Sequence, residues 1–205
     1  MSMNDMSVRD FAEILAAKTS VPGGGGASAL VAALGAALGS MVGNFTLGKK
    51  KYAEVEPDII RLMGEAERIR LALLDCIDED AAAFEPLSKA YGIPKDAPGR
   101  DETLEKCLCD AAAAPMKIME LACEAIVLHK EFAEKGSTLM VSDAGTGVVF
   151  CWAAMYGAAL NVKVNTKLML DRAHAEEMNK HVDELMEKYW KIADEVYESV
   201  YGRLC

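Results

Sequence analysis

Asp80 stands in the segment DCIDEDAAAF, residues 75–84, at a place where a carboxylate is hard to keep. Over residues 56–91, Ile59, Met63, Ala66, Leu73, Ile77, Phe84 and Leu87 recur at i, i+3 and i+4 spacing and draw one apolar stripe along a helix. Asp80 follows Ile77 by three and precedes Phe84 by four, so it lies on that stripe, whereas Asp78 and Glu79 turn away from it. A carboxylate on a core-facing stripe is costly unless it is paired or neutral. Desolvation raises its pKa toward the range in which a side chain can take up and return a proton. The chemistry expected of Asp80 is therefore general acid/base catalysis, and the competing reading is a buried aspartate that only bonds to a neighbouring helix.

A second candidate is PGGGGASALVAALGAALGSMVGNF, residues 22–45. A phosphate-binding GxxxxGK[ST] loop is excluded by spacing, because the next lysine is Lys49. A dinucleotide fingerprint can be laid over Gly24, Gly26 and Ala29, but it requires a preceding strand, and VRDFAEILAAK reads as a helix. What remains is a turn in which Gly23, Gly24, Gly25 and Gly26 permit positive φ and bring backbone N–H groups up to a ligand at a helix N-terminus. A plain interhelical turn is the alternative.

Lys49, Lys50 and Lys51 follow that run and read either as cations at a helix C-terminus or as a basic patch for a polycarboxylate. Ser142 and Asp143 in VSDAG stand at an expected helix start, where capping is the ordinary role. Asn161 and Asn165 in NVKVN stand one helical turn apart if the helix continues, or on one face if the segment is extended, and either suits hydrogen bonding to an amide-bearing ligand. His174, Glu177 and His181 share a helix face without a second contributor, so no metal site is expected. The six cysteines form no CxxC pair and suit reduced thiols in a cytoplasm.

Positioning these residues requires helices. Helical patterns are expected from Val8 to Lys18, Gly26 to Gly48, Glu56 to Tyr91, Glu102 to Ala113, Pro115 to Lys135, Ser142 to Leu160, and Thr166 to the C-terminus. No alternating β-branched runs with hairpin turns interrupt them. The expected fold is all-α: one domain over residues 1–205, with two apolar Ala/Gly-rich central helices sheathed by amphipathic ones. Nothing between Thr19 and Gly48 or between Ala144 and Val162 is charged, and both runs reach or approach the length of about 20 residues that a membrane span needs. Ala and Gly drive insertion weakly, so the core reading is preferred and no membrane role is expected. A formal charge of −10, from 22 basic and 32 acidic residues, opposes nucleic acid as a partner. The N-terminus lacks an apolar export signal, which points to the cytoplasm.

In order and spacing, PGGGGASALVAALGAALGSMVGNFTLGKKKY, DEDAAAF, the GIPK loop, VSDAG and GAALNVKVN resemble the cyclodeaminase/cyclohydrolase family of folate enzymes. The resemblance spans nearly the whole chain. It implies an all-helical subunit, a homodimer, and a tetrahydrofolate derivative, polyglutamylated or not, as substrate, with no metal or redox cofactor. It places the catalytic aspartate on Asp80. It puts folate contacts at Gly23, Gly24, Gly25, Gly26 and Ser28, the negatively charged tail near Lys49 and Lys50, and further polar contacts at Asp143, Asn161 and Asn165. Many members carry Ser where Gly26 stands, and the turn before VSDAG is here GSTLM, which bears on finer substrate contacts. The free-standing chain and its GGGGAS turn favour a methenyltetrahydrofolate cyclohydrolase over a formimidoyltetrahydrofolate cyclodeaminase.

Overall fold

The two uncharged stretches form the centre of the molecule. The computed structural model describes residues 2–205, which fold into α1 (Val8–Ala16), α2 (Gly24–Asn44), α3 (Glu56–Ala90), α4 (Arg100–Lys135), α5 (Val141–Thr166) and α6 (Arg172–Gly202), with short 3₁₀ turns before α1, between α2 and α3, and between α4 and α5. Among the described residues there is no strand, as the all-α expectation requires. α2 and α5 pack against each other, α3 and α4 close over them, and α6 lies along α5 and α4.

Small side chains make the centre this close. A Cβ at Gly35 would come within 2.5 Å of Cys151 Sγ, and one at Gly39 within 2.9 Å of the Phe132 ring. The Gly35, Gly39, Gly43 spacing, which also serves helix approach in bilayers, is used here against α3, α4 and α5. By length and composition α2 and the stretch Thr138–Thr166 could cross a membrane, and about half of each is buried inside the bundle. The expected stripe of α3 is the observed one: Ile59, Ala66, Leu73, Ile77 and Leu87 are all buried.

One boundary differs from expectation for a physical reason. Glu102–Ala113 and Pro115–Lys135 were expected to part at Pro115, yet α4 runs through it without a break. Proline removes the N–H that would have bonded Ala111 O four residues back. Asn165 Nδ2 on α5 donates to that carbonyl at 2.9 Å instead. Likewise α5 continues past Leu160 to Thr166, which turns Asn161 and Asn165 into an i, i+4 pair on a helix.

Two readings of local detail are corrected. Ser142 and Asp143 do not cap α5, because the helix begins one residue earlier, at Val141, and places both inside its first turn. None of Gly23–Gly26 has positive φ, a conformation that among glycines belongs to Gly48 and Gly99. The cysteines are unpaired, and burial pushes the thiols of Cys76, Cys123 and Cys151 up to about 12, leaving them protonated core residues.

A long apolar face stays uncovered. Leu34, Met41 and Phe45 along α2 and just past its end, and Tyr156, Leu160 and Val164 along α5, are exposed on the two central helices.

Candidate active site

Three consecutive carboxylates on α3 go three ways. Asp78 accepts from Met3 N–H at 2.8 Å and from the Ser2 hydroxyl, tying the N-terminal segment to the helix. Glu79 pairs with Lys117 on α4 at 2.7 Å. Asp80 instead faces the start of α2, where Gly26 N–H donates to its Oδ2 at 3.0 Å.

The first N–H groups of a helix have no acceptor within it and carry partial positive charge, so this is a stabilising place for a carboxylate. Burial nonetheless dominates: it pushes the Asp80 carboxyl above its ordinary range, and the Gly26 N–H offsets only part of that. The result is a carboxyl with one oxygen anchored, no cation beside it, and a raised affinity for a proton.

The glycines are needed for space rather than for backbone conformation. A Cβ at Gly25 would sit 2.2 Å from Asp80 Oδ1, and one at Gly24 would sit 2.9 Å from Asn161 Nδ2. Gly26 has ordinary room, its nearest neighbour to a Cβ being Pro22 at 3.6 Å, and Gly23 faces open space. Ser28 points back, donating to Gly24 O at 2.7 Å, and lies against Gly157 of α5.

Between these elements opens a cavity of about 200 Å³. It is lined by Ser20, Val21, Gly23, Gly24, Gly25, Asp80, Phe84, Ala111, Pro115, Asn161, Val164 and Asn165. Asp80 is the one ionisable side chain in that lining. Asn161 Nδ2 donates to Gly157 O at 2.8 Å, and Asn165 Nδ2 donates both to Ala111 O and to Asn161 O at 2.9 Å. A pocket that encloses a drug-sized ligand runs to roughly 300–1,000 Å³. At about 200 Å³ this one lies below that range, with Phe84 and Pro115 among its apolar lining.

The structure thus brings together Asp80, Gly23, Gly24, Gly25, Asn161 and Asn165 from the residues singled out by sequence. Gly26 and Ser28 support the wall without lining it. Lys49, Lys50 and Asp143 do not join them within the chain. α2 and α5 run antiparallel, Gly24 meeting Asn161 and Gly35 meeting Gly147 and Cys151. At 1.5 Å per residue, the lysines beyond the C-terminus of α2 and Asp143 at the start of α5 lie roughly 30 Å from the cavity. His181, one of the residues weighed for a metal, is paired with Glu120 at 2.9 Å. Sequence reasoning did not single out Phe84 as a cavity wall, since it was assigned to the core stripe. Nor did it assign a role to Ala111 and Pro115, although a proline within a helical pattern was visible.

Known proteins resemble this chain over most of its length. The formiminotransferase-cyclodeaminase family profile matches residues 7–184. A methenyltetrahydrofolate cyclohydrolase of Methylorubrum extorquens is 38% identical over 202 residues, covering 97% of each chain. The formimidoyltransferase-cyclodeaminase of Mus musculus is 32% identical over 91% of this chain, which spans 35% of that longer protein. Among solved structures, formiminotetrahydrofolate cyclodeaminase of Thermotoga maritima superimposes with a TM-score of 0.82 and 31% identity, over 96% of this chain and 94% of that one. Matched by the family profile over most of its length and 38% identical to a relative covered end to end, the chain belongs to the formiminotransferase-cyclodeaminase family.

Proposed function

We propose that this protein is a methenyltetrahydrofolate cyclohydrolase, interconverting 5,10-methenyltetrahydrofolate and 10-formyltetrahydrofolate, with Asp80 as the acid/base group. The observation that carries the mechanism is a lone carboxyl of raised proton affinity in the lining of a head-group cavity. The choice of reaction rests on the higher identity to the methenyltetrahydrofolate cyclohydrolase, 38% over 97% of both chains, than to the Thermotoga maritima cyclodeaminase, 31% over a similar span.

The chemistry needs little else. Water adds to the cationic carbon that bridges N5 and N10, and Asp80 takes one of its protons as the C–O bond forms. The same proton then goes to N5 as the C–N5 bond breaks, leaving the formyl group on N10. The second proton of the water is released to solvent, so the step balances. An ionised Asp80 also stabilises the cationic bridge, the more so in a cavity that holds no competing cation. No metal or redox cofactor takes part in this scheme.

A second reading has its own support in the Thermotoga maritima cyclodeaminase fold. There N10 attacks a formimino carbon on N5, and Asp80 moves the proton to departing ammonia. The deciding experiment follows ultraviolet absorbance of purified protein with each substrate. Loss of the methenyl band faster than background supports the cyclohydrolase, and growth of that band from 5-formiminotetrahydrofolate alone supports the cyclodeaminase.

The working unit in this proposal is a cytoplasmic homodimer closed through the bare face of α2 and α5. A twofold axis across antiparallel helices sets the far end of one copy beside the cavity end of the other. Lys49 and Lys50 of the partner subunit would then reach the cavity mouth, together with the partner's Asp143. Such cations would hold the glutamate carboxylates of the folate tail, which a chain of net charge −10 otherwise repels.

A further inference from the structure

Resting on the folate reading above, the geometry points to Asn165 as a specificity-determining residue: we infer that its Oδ1 accepts a hydrogen bond from the exocyclic 2-amino group of the pterin. Asn161 Oδ1 is a second acceptor one helical turn away.

The argument begins with Pro115. Its missing N–H leaves Ala111 O without the donor that an unbroken helix supplies. Asn165 Nδ2 fills that vacancy, and its other N–H goes to Asn161 O, both at 2.9 Å. Carbonyl oxygens only accept, so the amide cannot be turned the other way without opposing two of them. Both donors of Asn165 are consumed, and what it has left is an acceptor.

The residue that carries this acceptor lines the cavity. Asn165 is 7% exposed. Its Oδ1 has no partner among the described residues, yet it is not among the polar atoms sealed in the interior without one. Asn161 is held in the same sense, its Nδ2 spent on Gly157 O, and it too lines the wall. A buried amide oxygen without a partner selects a ligand that brings an N–H to it, because the unpaired acceptor is costly to leave dry.

Orientation of the head group follows from the substrate's shape. Its reacting N5–N10 bridge must face Asp80, and its tail must leave through the mouth. The pyrimidine end, which carries the 2-amino group, therefore goes deepest. Asn165 is the buried polar residue there, and Asn161 is the more open of the two.

The test is calorimetric binding of 5-formyltetrahydrofolate and of its 2-desamino counterpart to wild type, Asn165→Ala, Pro115→Ala, and the Asn165→Ala/Pro115→Ala double variant. Wild type is expected to prefer the amino form by about tenfold or more, the worth of a hydrogen bond to a desolvated acceptor. In Asn165→Ala the preference falls to near unity. The double variant returns a helical donor to Ala111 O and so recovers thermal stability, but its preference stays near unity. A purely structural Asn165 would weaken both ligands equally and leave the preference intact, which would overturn the inference. Equal binding of the two ligands by wild type would overturn it as well while leaving the folate reading standing. Binding of neither, with no turnover of either substrate, would remove the folate reading and the inference with it.

Discussion

Pro115 on α4 and Asn165 on α5 complete one another: the proline orphans the carbonyl of Ala111, and the asparagine supplies the hydrogen bond at 2.9 Å. A residue that ordinarily kinks or breaks a helix is thus absorbed into an uninterrupted one of 36 residues, and an amide is fixed at the cavity wall in return. Replacing Pro115 by Ala gives Ala111 O two competing donors. The expected outcome is an equal or higher melting temperature with a raised KM for the folate substrate, measured by thermal denaturation and steady-state assay. An unchanged KM would show that the helical gap plays no part in holding Asn165.

Gly25 and Gly26 separate close approach from mere turn propensity. Ala at position 25 places a methyl carbon 2.2 Å from Asp80 Oδ1, whereas at position 26 the nearest contact is 3.6 Å. Gly25→Ala is expected to abolish turnover by displacing the carboxyl, and Gly26→Ala to retain it. Equal activity in the two variants would contradict the geometry.

Asp80→Asn should cut kcat by about 10²–10⁴-fold, the range of a general acid/base contribution. Its effect on stability has the opposite sign. Because burial raises the folded pKa of Asp80, the native state holds this proton more tightly than the unfolded chain does. That contribution is fully present below the unfolded pKa and is lost as pH rises through the folded one. At neutral pH the ionised carboxylate is a burden, so the Asn variant should be at least as stable as wild type, with the gap closing on acidification. Chemical denaturation of both proteins at several pH values checks this, and a variant less stable than wild type at neutral pH would refute it.

His129 gives the reverse pH dependence. It is wholly buried, with Nε2–H donating to Gly35 O at 3.0 Å and Nδ1 without a partner. Burial lowers its pKa from 6.5 to about 4, the Gly35 bond opposing only in part. The unfolded chain therefore binds this proton first, and stability is lost as pH falls from 6.5 toward 4, by about 3 kcal/mol at 1.36 kcal/mol per pH unit. His129→Gln should flatten the stability profile across that window. A profile as steep as wild type would assign the acid sensitivity elsewhere.

A charged residue on the bare face tests the dimer. Leu160→Glu, at a side chain 73% exposed in the chain, should yield monomers by light scattering and a raised KM for polyglutamylated substrate, because the partner's lysines are lost. Mixing Asp80→Asn with Lys49→Ala/Lys50→Ala should restore low-KM turnover that neither parent shows. A dimer that survives Leu160→Glu would place the interface on another surface, and protein recovered only in detergent would favour a membrane partner for the face.

Local chemistry was decided by the sequence alone. The 3.6-residue period placed Asp80 on the apolar stripe of α3, and the Ala/Gly-rich uncharged runs marked α2 and α5 as central, because these features depend only on neighbours within one helix. Distances across helices carry no such periodic mark. That Gly25 leaves room for Asp80, that Pro115 orients Asn165 through Ala111, and that Lys49, Lys50 and Asp143 fall at the opposite end of the bundle depend on how α2, α3, α4 and α5 pack. Helix register and crossing are set by side-chain interdigitation among residues far apart in sequence, as Gly24 and Asn161 are, so only the tertiary structure could decide which polar groups meet at the cavity.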